Sequence, residues 1–168
     1  SMMNTMLGGA FSSRITSNIR EDKGYTYSPR SAIAGNVNSG VWFQGADITA
    51  ESTGAALTEV FKEIDLLSNE APGKEELDGT KNYLAGIFVL RNSSRTAIIN
   101  QLSYLEMHGL TDDYLKTYVS KVHATKAEDI SRVAKNYLEP EKMILVVVGD
   151  KEQVTPQLKE VKALAKHL

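Results

Sequence analysis

The stretch LGGAFSSRITSNIREDKGYTYSPRSA, residues 7–32, lies where the sequence pattern changes from helical to strand-like. Residues 2–7 are a short apolar piece with helical spacing, and Gly8-Gly9 is a typical signal for the end of a helix. Residues 24–48 are rich in Tyr, Val, Trp, Phe and Ile, which favour strands, and Asn, Ser and Gly interrupt them between residues 35 and 40. The stretch therefore predicts a helix end followed by a β-hairpin.

Beyond the hairpin, helical periodicity is followed by one continuous apolar run. The predicted helices are marked by Leu57, Val60, Phe61, Ile64 and Leu67; by Leu77, Leu84, Ile87 and Phe88; by Ile98, Leu102 and Leu105; by Tyr114, Leu115 and Tyr118 after a Thr111 cap; and by a capping box at Thr125-Lys126-Ala127-Glu128. Residues 143–148, MILVVV, predict a strand buried on both faces or at the centre of a sheet, and a helix with Leu158, Val161 and Leu164 follows. The pattern predicts one α+β domain over residues 1–168, with a small, mostly antiparallel sheet covered by several helices.

The composition excludes several classes of function. The 168-residue chain is 42% hydrophobic and has a formal net charge of -2, so it lacks the basic excess that a nucleic-acid surface needs. No apolar run approaches the roughly 20 residues that a membrane-spanning helix requires. The absence of cysteine excludes disulfides and cysteine nucleophiles, but it leaves both the periplasm and the cytoplasm of a bacterium open as compartments.

The three histidines do not form a recognisable metal site. His108, His123 and His167 are too far apart for the helical zinc signatures HExxH and HxxEH. His108 precedes Gly109, the predicted end of a helix, where a histidine typically compensates the helix dipole. We therefore predict no metal ligands in this chain.

Four short motifs in the opening stretch form a combination that is typical of one protein family. They are Leu7-Gly8-Gly9, Phe11-Ser12-Ser13-Arg14, Arg20-Glu21, and Lys23-Gly24 with a tyrosine three residues later. On these motifs the chain resembles the second, non-zinc half of the insulinase/pitrilysin zinc metallopeptidases, the inverted zincins that include mitochondrial processing peptidase. The resemblance continues through residues 109–114, 125–130 and 146–150, so it covers nearly the whole chain.

The resemblance implies a division of labour between two homologous halves. One half binds zinc through HxxEH and a distant glutamate, and the other supplies an arginine and a tyrosine that face the zinc across a closed chamber. On this sequence the arginine is Arg20 and the tyrosine is Tyr27, with Tyr25 as a second aromatic candidate for contacting substrate. A phenol at Tyr27 would donate to a peptide carbonyl oxygen as negative charge develops there, and the Arg20 guanidinium would hold a substrate carbonyl further along the peptide. Arg14 and Arg30 are interpreted as a salt-bridging or packing residue and a surface residue.

Two alternatives stay open at this level. If residues 25–27 form a strand, Tyr25 and Tyr27 point to one face and are ordinary sheet aromatics, and position 25 is usually aliphatic in the family. The alternative to the substrate-binding half of a zinc metalloendopeptidase is a catalytically silent structural subunit, like the core proteins of a respiratory complex. The presence of both Arg20 and Tyr27 favours the peptidase half. Zinc is then expected only in the partner half, and we predict that this chain alone neither holds zinc nor hydrolyses peptides.

Half-domains of this family begin with a strand and then a longer helix, whereas this sequence begins within the end of that helix. We therefore expect the half-domain to be truncated at its N-terminus and to lack one strand of its sheet. An unpaired sheet edge beside an apolar face recruits other chains, so the isolated fragment is expected to associate as a dimer.

Overall fold

A computed structural model describes residues 1–164. In chain order its helices and strands are α1 (Met2–Asn4), continued by a π-helical turn (Thr5–Gly9); α2 (Arg14–Thr16), continued by a π-helical segment (Ser17–Asp22); β1 (Arg30–Gly35); β2 (Gly40–Gly45); α3 (Thr53–Asn69); α4 (Lys74–Arg91); α5 (Arg95–Met107); α6 (Asp113–Ala124); α7 (Ala127–Tyr137); and α8 (Lys151–Glu160). Short 3₁₀ turns occupy Ala50–Ser52, Pro140–Lys142 and Lys162–Leu164. The predicted α+β class is confirmed, with one two-stranded antiparallel sheet within the described residues. His167 lies outside them, and none of the described helices is long and apolar enough to cross a membrane.

The predicted hairpin is confirmed. β1 and β2 pair in antiparallel register from Arg30 opposite Gly45 to Gly35 opposite Gly40. The Asn36 N–H donates to the Ser39 carbonyl at 2.8 Å and closes the connecting loop. Trp42 packs against the core, and Phe43, which points to the other face of the pleat, is exposed.

The hydrophobic core lies between the opening helices and α3, α4 and α7. Leu7, Ile15 and Ile19 are fully buried and form one cluster with Ile64 and Leu67 of the predicted α3 face. α2 and its π-helical continuation form one helix, called α2 from here on, which the sequence pattern did not predict. Because Ile15 and Ile19 bury one side of α2, the opposite side is free to present polar side chains at the surface.

The predicted strand at residues 143–148 is not formed. These residues belong to no helix or strand, and the backbone N–H groups of residues 144–148 donate to no other described backbone group. Ile144 is 92% exposed and Val148 is 94% exposed, which contradicts the expected burial. The physical reason is that a strand requires a neighbour to satisfy its backbone groups, and no described segment lies alongside this one as a partner.

Two predicted helix caps are displaced by one residue. α6 has Asp112 rather than Thr111 as its N-cap residue, and no side-chain cap forms there. α7 begins at Ala127 with Lys126 as its N-cap residue, and the Lys126 N–H donates to the carboxylate of Asp129 at 3.1 Å instead of to that of Glu128. The Thr125 hydroxyl donates backwards to the Lys121 carbonyl at 3.0 Å. Both helices occur where the sequence predicted them, but the N-cap residue of each is the next residue along the chain.

Candidate functional site

The end of α2 determines where the motif residues meet. The Gly24 N–H donates to the Arg20 carbonyl at 3.1 Å, and the Tyr25 N–H donates to the Ile19 carbonyl at 2.9 Å. Gly24 has φ of 65°, a left-handed conformation that glycine adopts without steric cost. The Lys23-Gly24 pair therefore ends the helix and turns the chain back along it, which brings Tyr27 next to Arg20.

The guanidinium of Arg20 contacts two aromatic rings. Its central carbon lies 4.6 Å from the centroid of the Phe11 ring and 4.7 Å from the centroid of the Tyr27 ring. Both distances are within the range of a cation–π interaction, which is worth about 0.5–1 kcal/mol at an exposed site. We call these three residues the Arg20 cluster. The two predicted residues, Arg20 and Tyr27, are therefore brought together, and Phe11 joins them.

The Arg20 cluster faces solvent. Tyr27 is 81% exposed, and its hydroxyl makes no hydrogen bond to any described residue. The Arg20 side chain is 25% exposed, and its Nε lies 3.0 Å from a carboxylate oxygen of Glu21. The Phe11 and Tyr27 rings restrict the position of the guanidinium, and Glu21 binds its Nε. A phenol and the remaining guanidinium N–H groups are thus held near each other as hydrogen-bond donors, which is the equipment for binding carbonyl or carboxylate oxygens.

Tyr25 occupies a different environment from Tyr27. Tyr25 is half-buried and packs against the hydrophobic core, and its carbonyl accepts a hydrogen bond from the Thr49 N–H at 3.2 Å. Residues 25–27 form no regular strand, and only an isolated bridge joins Thr26 to Ile48. The two tyrosines therefore do not share one exposed sheet face.

Two polar contacts anchor α2 to its neighbours. Arg14 makes a bidentate pair with Glu76 of α4, in which its Nε and one terminal nitrogen each lie 2.7 Å from a carboxylate oxygen. This hydrogen bonding with Glu76 raises the pKa of Arg14. The predicted salt-bridging role of Arg14 is confirmed, and Arg30 is exposed as predicted.

The second anchor is the Asn18 side chain, which is buried between α2 and α3. Its amide nitrogen donates to Glu59 at 2.9 Å and to Glu63 at 2.7 Å. Hydrogen bonding from Asn18, with a further contribution from Lys62, lowers the pKa of Glu59. Arg14 and Asn18 therefore fix the helix that carries Arg20 to α4 and to α3.

Sequence reasoning assigned no functional role to Phe11 or to Asn18. The local signal for Phe11 is an aromatic residue two positions after the Gly8-Gly9 helix end. For Asn18 the local sequence contains no signal, since its acidic partners lie 41 and 45 residues away in the chain.

Metal-ligating side chains do not converge in the described part of the chain. Within residues 1–164, no group of three or more His, Cys, Asp or Glu side chains is arranged to hold a metal ion. The hydrogen-bond donors of the Arg20 cluster are a guanidinium and a phenol, neither of which is a typical zinc ligand. The cluster is therefore suited to bind oxygen atoms of a ligand rather than a cation.

The fold and this cluster define an α+β domain with a partly buried guanidinium and an exposed phenol beside a helix that ends at a glycine. The profile of the family described as "Peptidase M16 inactive domain" matches residues 1–84, half of the chain. The chain belongs to this family, the one that the sequence motifs indicated.

Related proteins carry different functional descriptions. The chain is 23% identical over 137 residues to an uncharacterized zinc protease of Streptomyces coelicolor, covering 82% of this chain and 30% of that protein. It is also 23% identical over 154 residues to a non-peptidase homolog of Helicobacter pylori, covering 90% of this chain and 35% of that protein. Sequence similarity therefore connects the chain both to a protein named as a protease and to one named as lacking that activity.

Solved structures confirm the fold. The peptidase M16 inactive domain from Pseudomonas fluorescens superposes with a TM-score of 0.76 at 26% identity, covering 83% of this chain and 33% of that one. A protease from Helicobacter pylori superposes with a TM-score of 0.69 at 20% identity, covering 82% of this chain and 33% of that one. The chain thus spans about a third of the length of the proteins it matches.

Proposed function

We propose that this chain is the substrate-binding, non-zinc half of a zinc metalloendopeptidase. The observation that carries the proposal is the Arg20 cluster, in which a phenol and a guanidinium lie together at an exposed surface. Membership of the M16 inactive-domain family and the similarity to a protein named as a zinc protease support it. In the proposed assembly the cluster faces a zinc-carrying half, in the same protein or in a separate subunit, across a bound peptide.

Each member of the Arg20 cluster has a proposed role. Arg20 binds a backbone carbonyl of the peptide with guanidinium N–H groups that Glu21 does not engage. Tyr27 donates its phenol proton as a hydrogen bond to the carbonyl oxygen that gains negative charge during attack on the peptide bond. Phe11 holds the guanidinium in place through its ring, so that the N–H groups at the edge of the guanidinium stay available. Tyr25 packs against the hydrophobic core and contacts peptide only through its exposed fraction.

Zinc in the partner half would supply the activated water and polarise the scissile carbonyl. This chain contributes no ligand to that ion in the proposal. Its residues orient the peptide and stabilise charge, and removal of one such preorganised donor costs on the order of 3 kcal/mol in the transition state.

A second candidate is a catalytically silent structural subunit. The similarity to a protein named as a non-peptidase homolog favours it, as does the contact of Arg20 with Glu21, which partly neutralises the cationic donor. In this case the Arg20 cluster would have no effect on turnover in any assembly.

The test is to reconstitute the chain with the HxxEH-carrying protein encoded in the same gene or next to it and to measure cleavage of an unfolded casein substrate. Tyr27→Phe is expected to lower kcat by about 100-fold with little change in KM, because the phenol acts on charge that develops in the transition state. Arg20→Ala is expected to raise KM as well as lower kcat.

The matched control is Tyr137→Phe, which removes the hydroxyl of another highly exposed tyrosine, at the end of α7. It should leave both kinetic constants unchanged. Full activity of Tyr27→Phe would contradict the assignment of the phenol, and loss of activity in Tyr25→Phe with retention in Tyr27→Phe would transfer the role to Tyr25. An assembly that contains an intact zinc half and never cleaves casein would support the structural subunit.

A further inference from the structure

The end of α2 that carries Arg20 is π-helical rather than α-helical. The wider turn covers Ser17–Asp22, and the Lys23 N–H donates to the Asn18 carbonyl, five residues back, at 3.1 Å. Such turns are rare, and where they occur they are frequently part of a functional site. Because a helical backbone normally forms the α-helical turn, a contact that exists only in the wider turn would stabilise the π-helical form.

One carboxylate of α3 binds both ends of this turn. Oε2 of Glu59 accepts a hydrogen bond from the Asn18 side-chain amide at 2.9 Å, and Oε1 of Glu59 lies 3.7 Å from Nζ of Lys23. Asn18 and Lys23 are the same two residues that the π-helical backbone hydrogen bond joins. The Glu59 side chain is only 19% exposed, so salt and solvent screen these contacts less than at an open surface.

The double contact depends on the width of the turn. An α-helix has about 3.6 residues per turn, so residues five apart lie about 140° apart around its axis and face different neighbours. In a π-helical turn, residues five apart are joined by a backbone hydrogen bond and lie close to the same side of the helix. Asn18 and Lys23 therefore reach one carboxylate because the turn is π-helical. By the same coupling, Glu59 favours the π-helical turn over the α-helical one.

Arg20 lies between the two residues that Glu59 binds. The direction of its side chain from the helix axis follows from how the backbone winds after Asn18. In the π-helical turn, the central carbon of the guanidinium reaches the centroids of the Phe11 and Tyr27 rings at 4.6 and 4.7 Å. An α-helical turn would rotate Arg20 about the axis and move its guanidinium away from Phe11, which precedes α2 and does not move with the turn.

We propose that Glu59 is a positioning residue for Arg20, which stabilises the π-helical turn and thereby directs the guanidinium toward its ligand. The inference rests on the proposed function for the identity of that ligand, a backbone carbonyl of a peptide, but not for the position of the guanidinium. Hydrogen bonding from Asn18 lowers the pKa of Glu59, so the carboxylate is ionised at neutral pH and binds both residues as an anion.

The first experiment measures the position of Arg20 by NMR in the chain by itself. In the wild type, nuclear Overhauser effects are expected from the Arg20 side chain to both rings of the cluster. Glu59→Ala is expected to lose the effects to Phe11. Glu59→Gln keeps an acceptor for Asn18 and removes the attraction for Lys23, so it should fold like the wild type and weaken the same effects by less.

The matched control is Glu63→Ala, at the next turn of α3. Glu63 accepts from the same Asn18 amide at 2.7 Å, but it makes no ion pair with Lys23 within residues 1–164. Because Glu59 still binds both ends of the turn in this variant, the effects between Arg20 and Phe11 should persist. The control separates the anchoring of α2 to α3 from the stabilisation of the π-helical turn.

The second experiment measures casein cleavage with the zinc half present. Glu59→Ala is expected to raise KM and lower kcat, as Arg20→Ala does, but by smaller factors. The double variant should be no worse than Arg20→Ala alone, because a residue that acts through Arg20 has nothing to position once that side chain is gone. A residue that only stabilises the fold would instead multiply the loss caused by Arg20→Ala.

The two experiments separate failure of this inference from failure of the proposed function. The role of Glu59 would be overturned by unchanged contacts between Arg20 and Phe11 in both Glu59 variants, or by an equal loss of these contacts in Glu63→Ala. Independent, multiplied losses of activity in the double variant would also overturn it. If Arg20→Ala keeps full activity, the proposed function fails, and the NMR result still decides whether Glu59 positions the guanidinium.

Discussion

The ion pair between Arg14 and Glu76 fixes the helix that carries Arg20 to α4, and its loss should lower stability by a predictable amount. Both contacts are 2.7 Å long, and the two side chains are 21% and 33% exposed. Exposed pairs contribute about 0.2–1 kcal/mol, whereas breaking a fully buried pair costs about 3–5 kcal/mol. This bidentate, mostly buried pair lies between these limits, so Arg14→Ala should lower the free energy of unfolding by about 2 kcal/mol. In a chain of this length that corresponds to a fall in Tm of about 4–8 °C.

The assay is thermal unfolding followed by circular dichroism, completed as a double-mutant cycle with Glu76→Ala. The coupling energy between the two substitutions should be about 1 kcal/mol or more, because each single change removes the same interaction. Lys74→Ala is the matched control, since it breaks an ion pair with Asp78 that lies at the solvent-exposed surface of the same helix. Its Tm should equal that of the wild type. A shift for Arg14→Ala no larger than that for Lys74→Ala, or a coupling energy near zero, would refute the reasoning.

Three further predictions concern α3 and α4. Hydrogen bonding from Asn18 lowers the pKa of Glu59 below its ordinary value of 4.5, so its contribution to stability is present above that pH and is lost as the pH falls below it. Urea unfolding of Asn18→Ala should therefore differ from the wild type more at pH 7 than at about pH 3.5, and an equal difference at both would contradict this. Gly54→Ala should destabilise the chain by about 1–3 kcal/mol in the same assay, because the added Cβ would lie 2.9 Å from Cβ of Gln157 and 3.0 Å from its carbonyl oxygen. Gly79→Ala, in the middle of α4, should instead stabilise it by roughly 1 kcal/mol, since no neighbouring atom lies within 4 Å of the new Cβ, and equal signs for the two substitutions would count against the packing.

The sequence by itself determined the elements whose signals are local. Helical spacing located α3 and its buried face, and the composition of residues 24–48 located the hairpin, because periodicity reports which side of an element is buried. The predicted helix end at Gly109 corresponds to a left-handed glycine in the structure, with φ of 60°. The motifs around Arg20 also indicated the family that the sequence comparison confirmed.

Only the tertiary structure decided which segments meet. Phe11 and Tyr27 reach the same guanidinium because a helix and a turn lie between them, and no periodicity of the sequence records that distance. Residues 25–27 form no regular strand, so the two-residue spacing of Tyr25 and Tyr27 does not place their side chains on one surface. Residues 143–148 also show that local sequence does not specify which segments meet. Their composition determines the capacity to form a strand, but a strand exists only when a second segment satisfies its backbone groups, and that depends on a partner that the local sequence does not specify.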